Sequence, residues 1–126
     1  MPIIEIPIAE EPDLSIINKD ANYLKTEGLV DIQVNGFGGV DFNTPGISCD
    51  SLQHSLQTML ASGVTTCLPT IITSSESNLQ SCLSDLETAR NSSTLAKTMI
   101  AGYHLEGPFL SALPGFSGCH PINEMG

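Results

Sequence analysis

The sequence predicts an α/β protein built from parallel βαβ units, and three observations predict it. β-Branched stretches alternate along the chain with amphipathic ones, in the order strand, loop, helix, strand, helix, strand. The 126 residues suit a single domain, and 40% of them are hydrophobic, so a core can form from aliphatic side chains although only 5% are aromatic and tryptophan is absent. The side chains able to do chemistry collect at strand ends and in the loops after them, where parallel α/β proteins place their sites. Three such strands can open a doubly wound sheet or a (β/α)8 barrel, and periodicity alone does not separate the two.

Residues 2–22 contain Pro2, Pro7 and Pro12 and the acidic group Glu10, Glu11 and Asp13, which argues against a long helix and for an irregular tail with a short extended piece at 3–8. Residues 29–35 read as the first strand, with Val30, Ile32 and Val34 alternating with Asp31, Gln33 and Asn35. Gly36, Gly38 and Gly39 then mark a tight turn; they do not complete GxGxxG, because Asp41 stands where its last glycine belongs. Residues 50–62 read as a helix. Leu52, Leu56, Met59 and Leu60 share one face, Ser48 or Asp50 caps the start, and Gly63 ends it. Residues 64–70 read as the second strand. A capping box at Thr73–Glu76 opens a second helix with the stripe Leu79, Cys82, Leu83 and Leu86. Residues 92–97 read as a polar linker, 99–106 as the third strand, and the Pro- and Gly-rich remainder as a loop.

Composition excludes several partners. The net charge is −10, from 14 acidic and 4 basic residues, and Lys19, Lys25, Arg90 and Lys97 are scattered. No basic patch exists to neutralise a row of phosphates or an anionic membrane surface, so neither nucleic acid nor membrane is expected. The acidic, proline-broken start does not read as a secretory signal, and no apolar run reaches spanning length. The four cysteines (Cys49, Cys67, Cys82 and Cys119) match neither a zinc ribbon nor CxxC, so reduced thiols in a cytoplasmic protein are expected.

Three groups of residues are candidates for chemistry. Gln33 and Asn35 lie two apart on a strand and so face one side; amides orient water or substrate but bind metals weakly. Their competing reading is hydrogen bonding to neighbouring backbone. His104 and Glu106 share one side of the third strand, with Glu106 at its end before Gly107-Pro108. A carboxylate there is placed to bind a divalent metal, and the imidazole can join it; the alternative is a turn-capping carboxylate beside a core histidine. In Gly118-Cys119-His120-Pro121, the histidine is a candidate acid, base or electrophile, against a merely solvated loop residue. Cys119 has no identifiable base, so a thiol nucleophile is not favoured. His54, among the apolar positions of the first helix, reads as structural.

Taken together these residues resemble one family. Val30-Asp31-Ile32-Gln33-Val34-Asn35-Gly36, Gly39-Val40-Asp41-Phe42-Asn43, Gly63 to Thr70 (GVTTCLPT), His104 to Phe109 (HLEGPF) and Gly118 to Pro121 follow, in order, the motifs of N-acetylglucosamine-6-phosphate deacetylases. The resemblance covers residues 28–121. It implies the first three or so β/α units of an amidohydrolase (β/α)8 barrel at 28–126, with 1–27 a tail left from the family's small β-sandwich. It implies hydrolysis of the N-acetyl amide of a phosphorylated amino sugar, with one divalent metal ion, zinc first and iron or another ion as alternatives. By resemblance Glu106 is a metal ligand, His120 and Cys119 lie at the substrate, Gln33, Asn35 and His104 line the site, and the protein pairs as a homodimer.

The sequence also departs from the family. Phe116 and Ser117 stand where a basic residue is expected, and Glu27-Gly28 replaces Pro-Gly. Two further histidine ligands and a catalytic aspartate are expected downstream of Gly126. No catalytic residue is therefore assigned within the chain, and the 126 residues alone are expected to be inactive. A non-catalytic half-barrel binding module and an amidohydrolase for another N-acyl or cyclic amide are the alternatives.

Overall fold

A computed structural model describes residues 3–7 and 23–125. Strands β1 (Ile3–Pro7) and β2 (Tyr23–Glu27) pair antiparallel, with Ile3 opposite Glu27 and Pro7 opposite Tyr23. β1 is the short extended piece expected there. The acidic group at 10–13 lies outside the described residues.

The main unit is a three-stranded parallel sheet with helices packed on it. Strand β3 (Leu29–Val34) leads through a two-stranded hairpin, β4 (Gly36–Phe37) and β5 (Val40–Asp41), to helix α1 (Cys49–Ala61). Strand β6 (Val64–Ile72), helix α2 (Glu76–Asn91), helix α3 (Thr94–Met99) and strand β7 (His104–Glu106) follow. The strand order is β3-β6-β7, and both pairings are parallel. A single 3-10 turn at Ile122–Glu124 interrupts the expected terminal loop.

Each helix starts where a hydroxyl meets a free backbone N–H. Ser48 accepts from Ser51 N–H at the start of α1, and Gly63, at φ +96°, takes the left-handed turn that ends it. The cap of α2 is Ser75, which accepts from Asn78 N–H, so the box expected to begin at Thr73 is displaced by two residues. The core joins Leu52, Leu56 and Met59 of α1 and Cys82 and Leu86 of α2 to Cys67 and Ile71 of β6. Burial in β6 alternates over 64–69 as its period of two requires, and Thr70 and Ile71 are both buried at its end.

Three expectations change. The stretch 92–97 is not a linker: Ser93 caps α3, and burial of Ala96 and Met99 favours helix over extended chain. The third strand shrinks to His104–Glu106, with only a bridge between Ile100 and Cys67 before it. Leu60 is 38% exposed and lies off the core face of α1, while Ser55 is buried. In β3 only Val34 is buried, Val30 and Ile32 are exposed, and the register with β6 is irregular between Asp31 and Val34.

Side chains hold β3 to β6 where the ladder breaks. Val34 N–H donates to Thr70 Oγ1 (3.0 Å). Asn43 donates Nδ2 to the carbonyls of Asn35 (3.2 Å) and Thr70 (3.1 Å), and its Oδ1 accepts from Ile72 N–H (2.7 Å). Among the described residues, no helix is long and apolar enough to cross a membrane.

Candidate functional site

The carboxyl end of the sheet gathers three of the residues singled out in the sequence. β3 carries Gln33 and β7 ends at Glu106, whose backbone pairs with Ile72 at the end of β6. Gln33 Nε2 donates to Glu106 Oε2 at 2.9 Å across the sheet. The loop after β7 returns His120, whose Nε2 lies 3.3 Å from Glu106 Oε1. Its side chain is only 8% exposed, so it is not a solvated loop histidine.

A fourth residue completes the cluster. Thr73, one position past β6 and 1% exposed, donates its hydroxyl to the Glu106 carbonyl oxygen (3.2 Å) and lies 2.9 Å from His120 Nδ1. The following Gly107 has φ +94° and begins a cis peptide to Pro108. A Cβ on Gly107 would collide with Thr73 Oγ1, so a side chain is excluded there by both conformation and space.

The other candidates are placed differently. Asn35 stands just past β3, and what the structure engages is its carbonyl, which receives Phe42 N–H (3.0 Å) and Asn43 Nδ2. His104 pairs through its backbone with Thr70, and its Nδ1 is buried without a hydrogen-bond partner among the described residues. Cys119 is exposed and its thiol free. His54 is exposed on α1, as expected of a structural surface residue.

Thr73, Thr70 and Asn43 were not singled out for the site. Threonine and asparagine at strand ends are common, and only the fold shows that their polar atoms bridge neighbouring strands. The one signal present was two hydroxyl residues in a β-branched run, Thr70 and Thr73, at the end of the strand that lies between the other two.

The donor set bears on a metal. An ionised Glu106 Oε1 can only accept, so at 3.3 Å His120 Nε2 either donates a hydrogen to it or, as a bare nitrogen, shares a cation with it. That spacing also suits neighbouring ligands of an ion with bonds of about 2.0–2.2 Å. Yet among the described residues no three His, Cys, Asp or Glu side chains gather closely enough to hold a metal. The cluster fits part of a metal site.

Elsewhere, burial pushes the Cys67 thiol up to about 12, and Asp31 adds to the effect. Burial also raises Cys82. Glu87, on α2, is held below the ordinary carboxylate range, first by the hydrogen bond from Tyr103 (2.6 Å), with Asn91 and Arg90 adding.

A parallel sheet with a carboxylate, an imidazole and an amide at the carboxyl ends of its strands defines an α/β protein of the kind that binds and transforms small molecules there. Its relatives are named as deacetylases of amino-sugar phosphates. No family model matches the sequence. Over 107 residues the chain is 39% identical to the N-acetylglucosamine-6-phosphate deacetylase of Haemophilus influenzae, an alignment taking in 84% of this chain and 27% of the relative. It is 38% identical to the enzyme of the same name from Caenorhabditis elegans, over 89% of this chain and 27% of the relative. It is 36% identical to an N-acetylgalactosamine-6-phosphate deacetylase of Shewanella, over 75% and 22%. The crystal structure of N-acetylglucosamine-6-phosphate deacetylase from Pasteurella multocida superposes with a TM-score of 0.66 at 33% identity, covering 79% of this chain and 25% of that one. The chain is therefore a relative of the N-acetylglucosamine-6-phosphate deacetylases and spans about a quarter of their length.

Proposed function

We propose that this chain supplies the opening β/α units of a (β/α)8 hydrolase barrel and part of the site that hydrolyses N-acetylglucosamine 6-phosphate to glucosamine 6-phosphate and acetate. The observation that carries the reading is the meeting of Gln33, Glu106 and His120 at one end of the parallel sheet. In the reaction the acetyl C–N bond breaks, the oxygen of water joins the acetyl carbon, and the leaving amine takes a proton. A divalent metal, zinc first, polarises the amide carbonyl and acidifies water when bound.

The residues of this chain prepare the ground for that step. Glu106 offers the carboxylate ligand. Gln33 occupies Oε2 and so fixes the rotation of the carboxyl group. His120, nearly enclosed, presents Nε2 toward the substrate's acetyl carbonyl or its sugar hydroxyls. Cys119, His104 and Asn35 line the margin. The remaining ligands and the base that activates water are assigned to none of these residues. Residues 1–27 act as the remnant of a small sandwich segment. A cytoplasmic setting is supported by four free cysteines.

The test is a chimera in which this chain replaces the matching quarter of the Haemophilus influenzae relative, supplied with zinc and assayed for acetate release. The reading expects turnover of N-acetylglucosamine 6-phosphate, and loss of both turnover and bound zinc in Glu106→Gln. A folded, zinc-replete chimera whose Glu106→Gln variant keeps full activity overturns it. The Shewanella relative favours one second reading, N-acetylgalactosamine 6-phosphate as substrate. Comparing the two epimers in the same assay decides between them.

A further inference from the structure

We infer that Asn35 is a site of spontaneous covalent modification, at which its side-chain amide is lost to the backbone nitrogen of Gly36. The step is intramolecular and consumes only water. Base removes the proton from the Gly36 nitrogen, which attacks Asn35 Cγ. The N–Cγ bond forms, the Cγ–Nδ2 bond breaks, and ammonia leaves carrying a proton back. Water then opens the cyclic imide, at one carbonyl to give aspartate and at the other to give isoaspartate. Of the asparagines in the sequence, Asn35 is the one followed by glycine, so there no Cβ crowds the attacking nitrogen.

The fold leaves this pair open to reaction. Asn35 is exposed in the bend between β3 and β4. Its side-chain amide has no hydrogen bond among the described residues. The amides of Asn43, Asn78, Asn91 and Asn123 are each held, by Thr70, Ser74, Glu87 and Glu124. Phe42 N–H donates to the Asn35 carbonyl, which makes the next pair, Gly36 and Asp41, a non-hydrogen-bonded one. The Gly36 N–H therefore points away from β5. The hairpin also demands the glycine, because a Cβ there would collide with the Val40 carbonyl oxygen. The labile dipeptide is thus imposed by the turn. Isoaspartate at this position carries the chain through the former side chain and frees the former carbonyl as a carboxylate. That carbonyl is the acceptor for Phe42 N–H and Asn43 Nδ2, so the change loosens the joint that ties β3 to β6.

The test is peptide mapping by mass spectrometry on the whole chain held at mildly alkaline pH, beside the same chain in urea, where conformation no longer matters. A buried Cys67 thiol that resists alkylation marks an intact core in the buffered sample. Labelling by an isoaspartyl methyltransferase separates isoaspartate from aspartate. The expected result is that both acids accumulate at position 35 ahead of every other asparagine, at a rate within a few-fold of that in urea. Asn35→Gln, whose longer side chain must close a larger ring, abolishes the change there. The separated isoaspartyl chain is expected to unfold at a lower urea concentration than the unmodified one. Conversion at Asn35 more than an order of magnitude slower in the folded chain than in urea overturns the inference. So does earlier conversion at Asn91, which precedes a serine. An isoaspartyl chain as stable as the unmodified one overturns the consequence drawn for the joint.

Discussion

Asn43 provides the sharpest test of how this sheet is held together. Its side chain replaces ladder bonds between β3 and β6: Nδ2 donates to the carbonyls of Asn35 and Thr70, and Oδ1 accepts from Ile72 N–H. Asn43→Ala removes all three bonds. Asn35 is exposed, so water replaces one partner. Thr70 is fully buried and Ile72 half-buried, so the Thr70 carbonyl and Ile72 N–H lose partners that water does not readily replace. A buried backbone group left unpaired costs about 1–3 kcal/mol, so the two together cost roughly 2–6 kcal/mol. Against a typical total of about 5–15 kcal/mol, that is a large fraction. Urea unfolding followed by circular dichroism measures it, as a lower midpoint at unchanged slope. Asn43→Asp keeps the acceptor for Ile72 but sets a carboxylate against two carbonyls, and is expected to be no milder than alanine. A loss below about 0.5 kcal/mol for Asn43→Ala, the range of an ordinary surface change, refutes the reasoning.

Three further outcomes are expected. Ser75→Ala removes the cap of α2 and costs about 1 kcal/mol in thermal or urea unfolding; an unchanged stability would return the cap to Thr73. Tyr103→Phe acts on the acid limb of the stability curve. The lowered Glu87 carboxyl contributes stability above the unfolded carboxylate pKa, lost as pH falls through the folded value, and the loss of its first-ranked partner flattens that limb in pH-dependent melting. Alkylation of the native chain at mildly alkaline pH, mapped by peptide mass, labels exposed Cys119 while Cys67 and Cys82 react only in denaturant, because burial both hides their thiols and suppresses the thiolate.

The sequence by itself determined the alternation of strands and helices, the core stripes of α1 and α2, and most of the residues that meet at the sheet's end. These are local matters: period two, period 3.6, a capping hydroxyl and a stopping glycine are written within a few residues of one another. Tertiary structure decided the rest. It made α3 a helix, because Ala96 and Met99 gain burial once α1, α2 and β6 are beside them. It buried Val34 alone among the alternating residues Val30, Ile32 and Val34 of β3. It brought Gln33 and His120 onto Glu106 from 73 and 14 residues away. Thr73 was legible only as a capping residue, since the partners that give it meaning are 33 and 47 positions along the chain. A hydrogen bond is directional and reaches about 3 Å, so which polar atoms share one depends on where the fold carries them.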